Sequence, residues 1–227
     1  MSERLPAPDP GRFPRLSDDP SWVRQVRAGT ALARIFRAGG PHPVEWHEFR
    51  DYGPLDARFD PQPEPVGPHP GEGVLYAVLE RTAAAEEPAH PGDSAFAACL
   101  LEVFQQTRMV QRVEGSPTLA MFATVRQLRL LDLSDSDWIA VAGGNASISS
   151  GERARAREWS RAIRSAYPDL DGVVSASSVV PTARVVALWA PAEDALPRHP
   201  IAQLRLDREE LTAVIDSAAD RYGYLVL

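Results

Sequence analysis

The sequence predicts a mixed α/β protein, and three observations carry that prediction. Short runs rich in β-branched and aromatic residues, at 73–79 (GVLYAVL) and 185–189 (VVALW), read as buried strands. Segments 95–106, 152–167 and 207–218 repeat apolar residues at the three- and four-residue spacing of helices packed on one side. Proline- and glycine-rich tracts at 39–73, 83–92 and 191–200 separate them as loops. With 227 residues, 44% hydrophobic and 24% charged, the chain has the composition of a globular protein and the length to bury a substantial core.

Taken in order, residues 1–20 are rich in proline and lack an apolar period, so an extended or loosely docked arm is expected. Asp19, Pro20 and Ser21 offer capping chemistry for a short helix through Trp22, Val23 and Val26. Residues 30–36 (TALARIF) form a strand pattern with Arg34 between apolar neighbours. Its guanidinium either snorkels from the edge of a sheet or points into a cleft. In the long loop that follows, Phe59 sits between Arg58 and Asp60. That triplet reads as a loop anchor or as a surface ion pair worth little.

Tyr76 occupies the middle of the 73–79 strand, where a tyrosine packs in a core with its hydroxyl bonded. After an acidic excursion at 83–92, Asp93 and Ser94 cap a helix at 95–106 whose apolar stretch is interrupted by Glu102. A carboxylate there is either exposed or needs a partner. Strands are expected at 118–125 and 127–133, a polar loop at 143–150, and a helix at 152–167 with an arginine-rich face read as solvated. Residues 171–189 (DGVVSASSVVPTARVVALW) read as two buried strands around a serine-rich connection, and an isolated loop serine there would be a turn residue. The last helix has a capping-box pattern at 207–210 and a stop at Gly223, before a possible edge strand at 224–227.

The formal charge of -7 argues against broad binding to nucleic acid or an anionic membrane, so any anion must be held locally, and arginine carries all the side-chain cationic charge that lysine would share. Cys99 is the only cysteine, which excludes an intramolecular disulfide and a cysteine-based zinc site within one chain. No secretory pattern and no run of about 18 apolar residues is present, and a reducing cytoplasmic setting is expected.

In sequence order, Arg34, then Arg58, Phe59 and Asp60, then Gly73 to Tyr76, Leu101 to Phe104, Trp159 and Ser160, and finally Asp171 and Gly172 before the serines resemble the RES-domain family. That family includes bacterial toxins that degrade NAD. The resemblance spans about residues 32–189. It implies a split, twisted sheet flanked by helices, similar to the ADP-ribosyltransferase fold. It divides the chain into an arm at 1–27, a RES-like catalytic domain at 28–195 and a helical extension at 196–227 packed on the same domain.

Carried onto this sequence, the resemblance implies Glu102, Ser177 and Arg34 as catalytic residues and Arg58, Tyr76 and Ser178 as substrate-binding residues. The arginines suit a pyrophosphate through bidentate, charge-assisted bonds. Glu102 suits the oxocarbenium-like state of nicotinamide–ribose cleavage. Ser177 is expected to hold a ribose or phosphate oxygen, with Ser178 as its one-residue alternative. NAD is then the substrate, inorganic phosphate a potential co-substrate, and an antitoxin a potential partner, with no bound cofactor and no metal. Two departures stand out, since the family's tyrosine and arginine flanking the serine are here Ser175 and Ser178. The alternatives are a non-catalytic nucleotide- or protein-binding module and an ADP-ribosyltransferase acting on a macromolecule.

Overall fold

The computed structural model describes residues 4–80 and 94–227. In chain order the described residues form β1 (Val23–Val26), β2 (Ala31–Arg37), β3 (Tyr52–Gly53), β4 (Gly67–Pro68), β5 (Val74–Leu79), α1 (Ala95–Val103), β6 (Met109–Val110), β7 (Pro117–Ala123) and β8 (Leu128–Asp132). There follow α2 (Trp138–Val141), α3 (Ser147–Ser150), α4 (Arg153–Ala166), β9 (Gly172–Ala176), β10 (Arg184–Trp189), β11 (Ala202–Arg205), α5 (Thr212–Tyr222) and β12 (Leu225–Val226). Eight strands make one sheet in the order β1-β8-β9-β10-β5-β2-β7-β11. Only β8 and β9 run parallel within it, and the crossover that a parallel pair requires is the segment containing α2, α3 and α4. This is the mixed α/β architecture expected, a large mixed sheet flanked by helices.

Side-chain alternation decides what each face of the sheet does. Along β5, Val74, Tyr76 and Val78 face the helices, while Leu75 and Ala77 face the opposite layer. On the helix side, one apolar cluster lies under α1 and α5 and a second under α2, α3 and α4. On the other side Trp46, Ala192 and Ala195 cover Leu32, Phe36, Phe122 and Val186.

Several elements differ from expectation. Only Pro20–Trp22 is helical, as a single 3-10 turn capped by Asp19, and Val23–Val26 is strand β1, because pairing with Leu128–Leu131 buries Val23 and Val26. The N-terminal arm is docked: Leu5 is buried, Trp159 Nε1 donates to the Pro6 carbonyl at 2.9 Å, and Phe13 stacks on Trp159. The polar loop at 143–150 contains α3, and β11 adds an edge strand the sequence did not announce. No side chain caps α5 at its N-terminus, whereas Gly223 ends it in the left-handed conformation (φ 68°) as expected. Residues 225–226 do form a strand, paired with β6 outside the main sheet. The excursion at 83–92 lies outside the described residues.

Candidate active site

Where the two helix-side clusters part, a cavity of about 290 Å³ opens above the sheet. Tyr76, Val78 and Ser175 contribute its floor, Glu102 and Gln105 one wall, and Arg58 and Arg153 the other. Such a volume is near the lower end of small-molecule sites, room for about one nucleoside-sized part of a ligand.

Glu102 enters this cavity from a helix that is otherwise apolar, since residues Ala95 to Leu101 are all buried. Three donors hold its Oε1: Ser177 Oγ at 2.5 Å, the Ser178 amide at 2.8 Å and Ser178 Oγ at 3.3 Å. Its Oε2 accepts from Gln105 Nε2 at 3.0 Å. Charge-assisted bonds of this kind fix both position and orientation of a carboxylate.

Ser177 corrects the sequence reading. Its hydroxyl donates to Glu102 and accepts from the amides of Val179 (3.1 Å) and Val180 (2.9 Å). A hydroxyl has one proton and two lone pairs, so all its capacity is committed. Ser177 is 4% exposed and is absent from the cavity surface, which Ser178 does line. Ser177 therefore holds the carboxylate in place and has no spare donor or lone pair directed at the cavity.

Arg34 is the second correction. On β2 it shares the face of Leu32 and Phe36, so its guanidinium leaves the sheet on the side away from α1 and donates to the carbonyls of Trp46 (2.8 Å) and Glu48 (3.0 Å). Burial pulls its pKa down to about 10. Its neighbour Ile35, with the opposite parity, is the residue that reaches the cavity. Arg34 fastens the 46–48 loop and has no place in the site.

The remaining candidates meet. Tyr76 presents its ring to the cavity while its hydroxyl donates to Asp60 Oδ1 (2.9 Å) and accepts from the Phe59 amide (3.0 Å). Burial, then the Asp60 charge, raises the phenol well above its ordinary pKa, so it stays protonated. Asp60 is fully buried and also takes Arg50 Nη2 at 2.6 Å and the Leu55 amide at 2.8 Å. Phe59 is buried as well, with its carbonyl bonded by Ser160 Oγ at 2.9 Å. The loop is thus anchored at residues 59 and 60, and this holds half-buried Arg58 on the cavity wall, where it donates to the Gly151 carbonyl. Burial and then the Arg153 charge lower the Arg58 pKa, and the Glu102 charge opposes them.

Other quoted motifs prove to be supports. Asp171 accepts from Arg126 and from the Arg129 amide (2.8 Å), and Gly172 lets β9 approach β10, since a Cβ there would stand 2.0 Å from the Ala187 carbonyl oxygen. Cys99 lies under the cavity with its thiol pushed up to about 12 by burial, accepting from the Ile35 amide at 3.2 Å. Gln105, Asp56 and Arg153 are site residues the sequence did not single out. Among the described residues no group of three His, Cys, Asp or Glu side chains is placed to hold a metal, and no helix is long and apolar enough to cross a membrane.

Fold and site together define a mixed α/β protein with a cleft between two helix groups, a fixed carboxylate on one side and guanidinium groups on the other. No protein-family model and no curated protein matches the chain. Among solved structures, a chain of the M. tuberculosis MbcT–MbcA toxin–antitoxin complex is similar, with a TM-score of 0.52 over 91% of this chain and 96% of that one, at 13% identity. At that identity the likeness concerns the fold.

Proposed function

We propose that the protein cleaves the bond between nicotinamide and ribose in NAD. The observation that carries this reading is the opposition across one cavity of Glu102, fixed by Ser177, Ser178 and Gln105, to Arg58, with the Tyr76 ring on the floor between them. The RES-like order of these residues and the toxin–antitoxin neighbour support the same reading.

In this mechanism the bond from ribose C1′ to the nicotinamide nitrogen breaks with its electron pair leaving on neutral nicotinamide. Positive charge develops at C1′, and the preorganised Glu102 carboxylate stabilises it in a partly dehydrated cleft. Tyr76 packs against the ring or ribose, and Arg58 binds a phosphate oxygen. The oxygen of water or of inorganic phosphate then bonds to C1′, and its proton passes to solvent. ADP-ribose is the product of the first acceptor and its 1″-phosphate that of the second. Ser177 is no nucleophile in this mechanism, because its hydroxyl is committed to Glu102 and two backbone amides and, among the described residues, no histidine lines the cavity. The neighbour comes from a toxin–antitoxin complex, which supports an antitoxin partner for this chain; on our reading that partner covers the cleft and acts in the cytoplasm.

The test is nicotinamide release from NAD by purified protein, with and without phosphate, beside Glu102→Gln. The amide keeps an acceptor for Ser177 and Ser178 but removes the charge, so kcat should fall about 100- to 1,000-fold with NAD still bound. Absence of nicotinamide release by wild type, with binding that survives the substitution, would leave a nucleotide-binding module. Transfer of label from NAD to a protein would instead identify a macromolecule-modifying transferase.

A further inference from the structure

Opposite Glu102, the cavity wall carries more positive charge than the loop motif alone supplies. Arg58 and Arg153 both line it, and Arg157 stands one turn further along α4. Among the described residues, no carboxylate lies within ion-pair distance (4.0 Å) of Arg58. Arg153 and Arg157 share one carboxylate, Asp56: Arg153 Nη1 bonds its Oδ2 and its carbonyl, and Arg157 Nη1 lies 3.8 Å from its Oδ1. Three guanidinium groups thus gather on one wall where Asp56 is the acid within ion-pair distance of two of them and Glu102 acts on Arg58 only from across the cavity, in a protein whose formal charge is -7. Like charges gathered at a cavity wall repel one another and lose hydration, an arrangement that an anion bridging them stabilises.

Asp56 is the carboxylate that meets that need on this wall, and its geometry is that of a removable group. Its side chain is 64% exposed, while those of Arg153 and Arg157 are only 21% and 16% exposed. It sits at the cavity wall and also accepts from Gln106 Nε2 at 3.0 Å, so it links the α4 side of the cleft to the α1 side. An exposed ion pair contributes little, and a phosphate offers more charge and more acceptor oxygens to the same guanidinium forks.

We infer that Arg153, with Arg58 and with Arg157 behind them, forms a phosphate subsite in which the Asp56 carboxylate is a stand-in that a phosphate group displaces. This rests on the reading of the cavity as a dinucleotide site. The phosphate belongs either to the dinucleotide's diphosphate or to free orthophosphate acting as acceptor.

The experiment titrates ADP, and separately orthophosphate, into wild type, Asp56→Asn, Arg153→Ala and Arg153→Lys, with thermal unfolding to verify folding. Removing the competitor should tighten anion binding about 3- to 10-fold in Asp56→Asn. Arg153→Ala should weaken it about 10-fold or more, and Arg153→Lys by less, because lysine keeps the charge but not the fork. If the ADP affinities move, the subsite takes the diphosphate; if only the orthophosphate affinities move, it takes the acceptor. The inference is overturned if Asp56→Asn binds both anions no better than wild type, or if Arg153→Ala binds both as well. ADP has no nicotinamide–ribose bond, so this outcome is separate from turnover. The sign pattern without nicotinamide release would sink the enzymatic reading alone, and release with unmoved anion affinities would sink the subsite alone.

Discussion

Ser177→Ala distinguishes a serine that supports the carboxylate from one that touches substrate. The substitution deletes one hydroxyl that makes three hydrogen bonds, to Glu102 Oε1, the Val179 amide and the Val180 amide. Val180 is buried, so its unpaired N–H costs about 1–3 kcal/mol. Val179 is only partly buried and regains a partner from water. Glu102 is half-buried and keeps the Ser178 amide, so losing its charge-assisted bond is discounted to about 1 kcal/mol. The sum is about 2–4 kcal/mol, which for a chain of this size lowers the unfolding midpoint by about 5–15 °C. The control is Ser178→Ala, which leaves the backbone donor in place and removes only an exposed hydroxyl; it should shift the midpoint by no more than about 2 °C. Thermal unfolding followed by circular dichroism reads both. In nicotinamide release, Ser177→Ala should lower kcat and leave KM near the wild-type value, since the cavity surface is unchanged. A midpoint within about 2 °C of wild type, or a loss confined to KM, would refute the supporting role.

Two further perturbations test the frame around the site. Gly172→Ala forces a Cβ to 2.0 Å from the Ala187 carbonyl oxygen at φ +151°, so β9 and β10 must separate; a loss of about 3 kcal/mol or more, or about 6–12 °C in midpoint, is expected, and an unshifted midpoint would refute it. Stability should also fall in alkali, because burial raises the Cys99 thiol from 9.0 to about 12. Below pH 9 both folded and unfolded chains keep that proton. Between pH 9 and 12 only the unfolded chain releases it, so folding loses about 1.4 kcal/mol per pH unit from this group, and Tyr76 adds to the loss above pH 10. Urea unfolding from pH 8 to 11 should show the decline, and Cys99→Ala should make it shallower. Parallel pH profiles for the two proteins would contradict the assignment.

How far the fold can be read from the chain depends on whether local pattern and tertiary pairing agree. β5, β10 and α4 announce themselves because β-branched runs or a one-sided stripe match what they bury. β1 does not: Trp22, Val23 and Val26 have helical spacing, yet the free edge of β8 offers a ladder that satisfies their backbone and buries both valines. β11 stays silent for the opposite reason, since an edge strand with only half-buried Ala202 and Leu204 has almost no apolar signal to give.

The site was legible to the same depth and no further. Glu102 stands out as the one charge in an apolar helix, and the serine-rich break before 185–189 marks its holders, but nothing local says which serine faces the ligand. Strand parity also decides Arg34, because Ile35 packs toward α1 and its neighbour must then point the other way. Neither strand's facing is fixed until the helices are docked. Arg153 and Arg157 lie deeper still: on α4 they are indistinguishable from Arg155 and Arg161, and only the return of a loop about a hundred residues earlier sets both against Asp56 and makes Arg153 part of a cavity wall. Residues that act through a neighbour in sequence leave a trace in composition, while residues that act across the fold acquire their chemistry from whatever the topology sets before them. Ser177 belongs to both kinds, since its bonds to the Val179 and Val180 amides are local and could be read as a turn, and its bond to Glu102 spans 75 residues and is what gives the turn a function.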